Sequence, residues 1–184
     1  RLKPENKEVC NEITKDINRL NMITQRFSQI GTNPELLPQN IIPVVQNAMA
    51  YLPSRSSKKV NFVLNLPQDT EIILPINQCL IEWTLENLSK NAIDAMGGIG
   101  TLTLDLTQDS KRVFIDVSDT GKGMPKKQFK KVFEAGFTTK ERGWGMGLSL
   151  AKRIIEEYHH GKIFVKQSTI NRGTTFRIVL KKEE

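Results

Sequence analysis

The chain has 184 residues, 38% of them hydrophobic and 26% charged, a balance that suits one soluble domain with an appendage and excludes both a disordered chain and two full domains. No apolar run approaches the ~18 residues that cross a bilayer, and the charged start Arg1-Leu2-Lys3-Pro4-Glu5 leads into no signal-peptide core. Lysine and arginine outnumber aspartate and glutamate by 27 to 20, with a pI near 9.5, which admits nucleic acid, anionic lipid or phosphate-bearing ligands without choosing among them.

In chain order, Val9, Ile13, Ile17, Leu20, Ile23, Phe27 and Ile30 recur at steps of three and four, predicting a helix with one apolar seam that packs along its length on another helix. Gly31 and Asn33-Pro34 stop it, so residues 1–32 read as a bundle helix, 33–39 as a linker and 40–184 as a separate domain. Ile42, Val45, Met49 and Leu52 share a helical face that ends at Pro53 and a polar run to Lys59. Val60, Phe62, Leu64 and Leu66 alternate as a half-buried strand, and a short extended piece follows at Ile72 to Leu74.

From Pro75, which suits a helix start, Ile76, Leu80, Trp83, Leu88 and Ala92 recur at helical intervals as far as Gly97-Gly98. Thr101 to Thr107 and Arg112 to Ser118 read as hairpin strands, a helix returns from Leu148 to Tyr158, and strands Lys162 to Ser168 and Thr174 to Leu180 flank Asn171-Arg172-Gly173. This order predicts an α+β fold, a two-layer α/β sandwich with a mixed sheet covered by helices on one face. Cys10, Cys79 and the adjacent His159 and His160 follow no metal-ligand spacing, which disfavours structural zinc, and so few cysteines fit a cytoplasmic location.

Four segments are suited to chemistry. Asn87, Asn91 and Asp94 are spaced by four and three and project from one helix face. Amide oxygens there can ligate a hard divalent cation that also holds phosphate oxygens, although asparagines on a helix are more often solvated. Asp119-Thr120-Gly121-Lys122-Gly123-Met124 begins at a strand end. Its carboxylate can accept from an exocyclic amine while the glycines admit a flat ring; an ordinary Asp-Gly turn is the bland alternative. Phe133 to Lys140 then runs into Gly143-Trp144-Gly145-Met146-Gly147-Leu148, with a glycine at every second position opening a helix. Exposed N–H groups there suit phosphate, and Thr138, Thr139 and Lys140 can add hydrogen bonds and charge. The spacing is neither that of a P-loop nor Gly-x-Gly-x-x-Gly.

Together these segments resemble, in order, the asparagine box, first glycine box, phenylalanine box and second glycine box of the histidine-kinase ATP-binding domain. That domain belongs to the gyrase, heat-shock chaperone, histidine kinase and mismatch-repair ATPase superfamily, with its Bergerat-type fold. The resemblance spans Asn40 to Lys182, includes Gly173-Thr174-Thr175-Phe176 as the closing strand motif, and looks most like sensor kinases of the nitrogen-regulation type. It implies ATP and Mg2+ as cofactors, with Asn91, assisted by Asn87, on the metal and phosphates and Asp94 near the nucleotide. Asp119 would take the adenine amine, with Gly121, Gly123, Met124 and Thr174 around the base. Thr138, Thr139 and Lys140 would face the terminal phosphate, and Gly143, Gly145, Met146, Gly147 and Leu148 would form the lid base. Asn87, Asn91 and Lys140 make up the implied catalytic set.

In the hydrolytic members a water-activating glutamate stands four residues before the magnesium asparagine, and here that place is Asn87. Glu86 is turned about 100° away. The resemblance therefore implies phosphoryl transfer rather than autonomous hydrolysis. It implies the catalytic core of a two-component sensor kinase, cytoplasmic and part of a membrane-associated homodimer. Such a kinase phosphorylates a histidine on its dimerisation helix and then a response-regulator aspartate. Residues 1–30 match the second helix of that hairpin but carry no histidine, so this piece is expected to bind ATP or ADP without phosphorylating itself. His159 and His160 match a place where such domains carry a structural histidine. An anti-sigma-factor serine kinase is the alternative, disfavoured by the apolar seam, as is a degenerate nucleotide-binding module, disfavoured by the intact boxes. A nucleic-acid module built on Lys126, Lys127, Lys130 and Lys131 lacks interleaved aromatic residues for base stacking, so no nucleic-acid partner is expected.

Overall fold

Alternation of apolar residues at period two produces most of the sheet. In the computed structural model the elements are β1 (Leu37–Asn40), α1 (Ile41–Ala50), β2 (Val60–Asn65), β3 (Ile73–Ile76), α2 (Gln78–Ala95), β4 (Gly100–Gln108) and β5 (Arg112–Asp119). After two single 3-10 turns come α3 (Gly147–Arg153), β6 (Lys162–Thr169) and β7 (Gly173–Lys181). The structure describes residues 34–50, 52–53, 56–68, 71–139 and 145–182; from Glu35 onward they belong to one unit. The helix expected from Val9 to Ile30, Lys140, Gly143 and Trp144 lie outside the described residues.

The main sheet has the order β2-β4-β5-β7-β6. β2 runs parallel to β4 and the remaining pairs are antiparallel. One face carries Leu102, Leu104 and Leu106 from β4, Val113, Ile115 and Val117 from β5, and Phe176, Ile178 and Leu180 from β7, all buried. Against it lies α2, whose Leu80, Ile81, Leu85 and Leu88 are fully buried, each such side chain contributing about 1.5–3 kcal/mol of burial. α1 packs on α2 and β2, and α3 on α2 and β6. This is the mixed, helix-covered α+β sheet expected. Among the described residues no helix is long and apolar enough to cross a membrane.

Two local readings are corrected. Pro75 does not start a helix: it lies in β3 opposite Pro38 of β1 in a separate two-stranded sheet. The fixed φ of proline fits a strand edge as well as a helix start, and pairing with β1 decides between them. α2 begins instead after Asn77, whose Oδ1 accepts the Leu80 N–H at 3.2 Å, a side-chain N-cap. Residues 37–40, the last three positions of the expected linker and the first of the domain, are extended. They form β1 because Asn40 Oδ1 accepts from both Ile42 N–H and Ile72 N–H, each at 3.1 Å. The third helix also differs, since its last turn, Ile154–Tyr158, is a π turn.

The other sheet face holds an ion cluster. A bulge between Val165 and Gln167 makes Lys166 an extra residue in β6, and its Nζ lies 2.7 Å from Asp116 Oδ2. Arg177 Nε and Nη2 donate to the same carboxylate at 2.6 and 2.7 Å, and the guanidinium sits 5.0 Å over the Phe114 ring. Burial alone would raise the Asp116 pKa, but the hydrogen bonds and charges of Arg177 and Lys166 outweigh it and hold the carboxyl below the ordinary 3.8. A pKa depressed in the folded state stabilises the fold above the unfolded value and ceases to do so as pH falls through the folded one. Asp116→Asn should therefore lose roughly 1–3 kcal/mol at neutral pH and show a shallower loss of stability below pH 3.8, as read from urea midpoints across that range.

Candidate functional site

The site begins where β5 ends. Gly173 has φ +96°, and a Cβ there would run into the Asp119 carbonyl. Gly123 has φ +63°, and its Cβ would strike the carbonyl of Thr169. Gly121 lies so close to the end of α2 that a Cβ would come 2.6 Å from the Ala95 carbonyl oxygen. These contacts wedge the loop from Asp119 to Met124 between α2 and the β6–β7 turn. Hydrogen bonds complete the wedge: Lys122 N–H to Ala95 O at 3.0 Å, Asn171 N–H to Lys122 O at 2.8 Å and Met124 N–H to Ser168 Oγ at 2.8 Å. Ser168 Oγ also lies 2.9 Å from Thr174 Oγ1.

Asp119 is 7% exposed. Its Oδ1 accepts the Gly121 N–H at 2.8 Å, and the Thr174 N–H donates to the same carboxylate. Burial raises its pKa above the ordinary 3.8 despite these donors, and among the described residues no cation pairs with it. It lines a cleft of about 350 Å3 together with Ser118, Ser168, Arg172 and Thr174. A buried carboxylate held only by N–H groups is an acceptor suited to a neutral donor such as an exocyclic amine.

The second part of the site comes from α2 and α3. Asn87 is half-buried, and its Oδ1 sits 3.6 Å from the position a Cβ on Gly147 would take. Its Nδ2 is one of two buried side-chain atoms that lack a hydrogen-bond partner among the described residues. Asn91 is half-buried one turn further on, and Asp94 is exposed. Gly136 N–H donates to Gly145 O at 3.1 Å, and Gly145, at φ +62°, would put a Cβ 2.7 Å from Gly136 O. This pins the phenylalanine segment to the second glycine segment, while the Phe133 ring meets Phe176 edge-on at 6.0 Å. Met146 is 52% exposed, and its carbonyl accepts from Leu150 N–H and Ser149 Oγ–H at the start of α3. Met124 and Leu148 pack partly buried against the core. Thr138 and Thr139 are exposed, with Lys122 Nζ 3.4 Å from Thr139 Oγ1.

The fold thus gathers Asp119, Gly121, Gly123, Met124 and Thr174 into one cluster and sets Asn87 beside Gly147. Lys140 and Gly143 lie outside the described residues. Sequence reasoning missed Ser168, whose hydroxyl joins Met124 to Thr174, because a serine near a strand end carries no local signal. Gly173→Ala should cost roughly 2 kcal/mol or more through the positive φ and the backbone overlap, checked by urea denaturation. The smaller perturbation Thr174→Val should leave the fold intact while removing the link to Ser168.

Residues 78–184 match the family of histidine kinase-, DNA gyrase B-, and HSP90-like ATPases. Sporulation kinase A of Bacillus subtilis is 31% identical over 144 residues, 78% of this chain and 23% of that protein. Sensor protein TdiS of Thauera aromatica is 34% identical over 154 residues, covering 80% of this chain and 28% of that protein. The chain thus spans about a quarter of the length of these relatives. The catalytic domain of histidine kinase ThkA superposes with a TM-score of 0.72 at 27% identity, over 80% of this chain and 96% of that one. The chain belongs to the histidine kinase-, DNA gyrase B-, and HSP90-like ATPase family, and its domain is the catalytic ATPase domain of the sensor histidine kinases.

Proposed function

We propose that this chain holds MgATP and transfers its γ-phosphoryl group to a histidine on the dimerisation helices of a homodimeric parent sensor kinase, from which a response-regulator aspartate receives it. The reading rests on Asn87, whose buried Nδ2 has no acceptor among the described residues although its Oδ1 lies against Gly147. An unsatisfied buried donor costs about 1–3 kcal/mol, and a phosphate oxygen is an acceptor that would satisfy it. Asn91, one turn along the same face, and the Asn87 amide oxygen are the neutral oxygen ligands that a hydrated Mg2+ accepts. Bound there, the metal would neutralise charge across the phosphates.

Asp119 takes the adenine amine, Gly121, Gly123 and Met124 border the ring, and Thr174 orients the carboxylate through its N–H. Asp94 stands at the end of the asparagine face. Gly143, Gly145, Met146, Gly147 and Leu148 form the lid base, and Thr138, Thr139 and Lys140 lie on the side of the terminal phosphate, in the pattern of the nitrogen-regulation subclass. Asn87 at the place of the water-activating glutamate favours transfer over hydrolysis. Residues 1–32 act as the second helix of the dimerisation hairpin. They hold no histidine, so transfer needs an acceptor helix from the parent, which is cytoplasmic at this domain and membrane-associated overall. Histidine kinase ThkA has been solved with the response regulator protein TrrA, which supports a regulator as the downstream partner.

Calorimetric titration with a non-hydrolysable ATP analogue and Mg2+ should give micromolar to sub-millimolar affinity, weakened roughly tenfold or more in Asp119→Asn, a loss of about 1.4 kcal/mol. Because its pKa is raised in the folded state, ionised Asp119 costs the fold stability above 3.8, so the same variant should not melt lower than the parent. Asn87→Leu should lower the Mg2+-dependent part of the affinity. Equal binding by Asp119→Asn would refute the adenine assignment, and no phosphate uptake by a histidine-bearing hairpin added in trans would refute the transfer.

A further inference from the structure

The π turn Ile154–Tyr158 ends at His159, which is 7% exposed. His159 Nδ1 lies 2.8 Å from the Ile154 carbonyl oxygen. A carbonyl only accepts, so Nδ1 carries the proton. Nε2 lies 3.1 Å from the Asn77 backbone nitrogen, which only donates, so Nε2 is unprotonated. Both partners are main-chain groups with fixed roles, and the neutral Nδ1–H tautomer is the one form that satisfies both. The π turn makes this geometry possible, since the His159 N–H also donates to Ile154 O at 3.2 Å and the extra residue sets the ring over that carbonyl.

Asn77 is the N-cap of α2. Its Oδ1 accepts from Leu80 N–H at 3.2 Å and its Nδ2 donates to Glu35 O at 3.3 Å. A continuous hydrogen-bonded chain therefore joins the end of the α3 segment, through His159, to the start of the helix that carries Asn87, Asn91 and Asp94. The same two segments bring Gly147, at the start of α3, against Asn87, in the middle of α2.

We propose that neutral His159 is a positioning residue of this domain, which sets α2 against α3 and thereby places Asn87 beside Gly147, and that protonation of Nε2 breaks this link and weakens nucleotide binding. It rests on the nucleotide reading of the site given above. A protonated Nε2 would face the Asn77 N–H donor to donor. Burial, aided by the adjacent His160, holds the His159 pKa below the ordinary 6.5. Among the described residues, the electrostatic influence on the ring comes from the neighbouring His160. On the π turn Glu156 and Glu157 pair with Lys152 and Arg153, on α2 Glu82 takes the Gln78 amide, and Glu35 contributes its carbonyl. With a depressed folded pKa the link is intact above 6.5 and is lost as pH falls through the lowered value.

The test follows affinity for AMPPNP with Mg2+ between about pH 7.5 and about pH 5 in the wild-type chain, His159→Gln, His159→Ala and the control His160→Gln. Glutamine keeps an acceptor for Asn77 but does not titrate. Wild type and His160→Gln should lose roughly fivefold more affinity on acidification than His159→Gln, which should match wild type within about twofold at the upper pH; His159→Ala should be weak throughout. The same pH dependence in His159→Gln would overturn the proposal. NMR of the wild-type chain without nucleotide supplies a second readout: the Asn87 side-chain amide should shift with the His159 titration. An Asn87 signal indifferent to that titration also overturns it. Wild type that binds no AMPPNP at the upper pH, yet shows the coupled Asn87 shift, would instead count against the nucleotide reading alone.

Discussion

Close backbone packing at Gly121, Gly123 and Gly173 is the constraint on which the site depends. At each, a single added carbon would meet main-chain atoms of another segment: the end of α2, the β6–β7 turn, or Asp119 itself. Main chain yields little, so no side chain can be accommodated by local rearrangement. Because these three crossings are tight, the Gly121 and Thr174 N–H groups converge on one carboxylate and the Met124 N–H reaches Ser168. A looser loop would leave Asp119 solvated and undirected.

Two aspartates three residues apart on β5 show how one strand divides its work. Their odd separation puts them on opposite sides of the sheet. Asp116 meets Arg177 and Lys166 and is held ionised, so its burial is compensated by two cations. Asp119 has only N–H partners among the described residues, and burial raises its pKa. The first arrangement favours the fold. The second leaves an under-compensated charge, together with the unsatisfied Asn87 amide, where a ligand can supply what the chain does not.

The two halves of the site are held by different means. Asp119 and its glycines are fixed by strand ends and turns of the sheet, whereas Asn87 and Gly147 are fixed by the packing of α2 on α3. Helix packing tolerates small sliding motions that sheet registry does not. The His159–Asn77 hydrogen bond joins those two helical segments, and under the proposed protonation of His159 the asparagine half is the adjustable one.

Much of this was legible in the residue order. Alternation at Val60 to Leu66, in the hairpin around Gln108 to Lys111 and in the last two strands marked the main sheet, and the recurrence from Leu80 to Ala92 marked α2. The paired glycines around Asp119 and Gly147 marked the loops, since a glycine's steric freedom belongs to the residue itself. Pro75 misled because its fixed φ serves either a strand edge or a helix start, and β1 was missed because its partner is far along the chain. Ser168 and the π turn gave no local sign. The sequence by itself determined the main-sheet strands and the body of α2, the order of the boxes and the family, because periodicity and glycine placement act over a few neighbouring residues. Only the tertiary structure decided which polar atoms meet: Asn77 and His159 are 82 residues apart, Asp116 and Arg177 61 apart, and contacts at such separations follow from how whole elements pack.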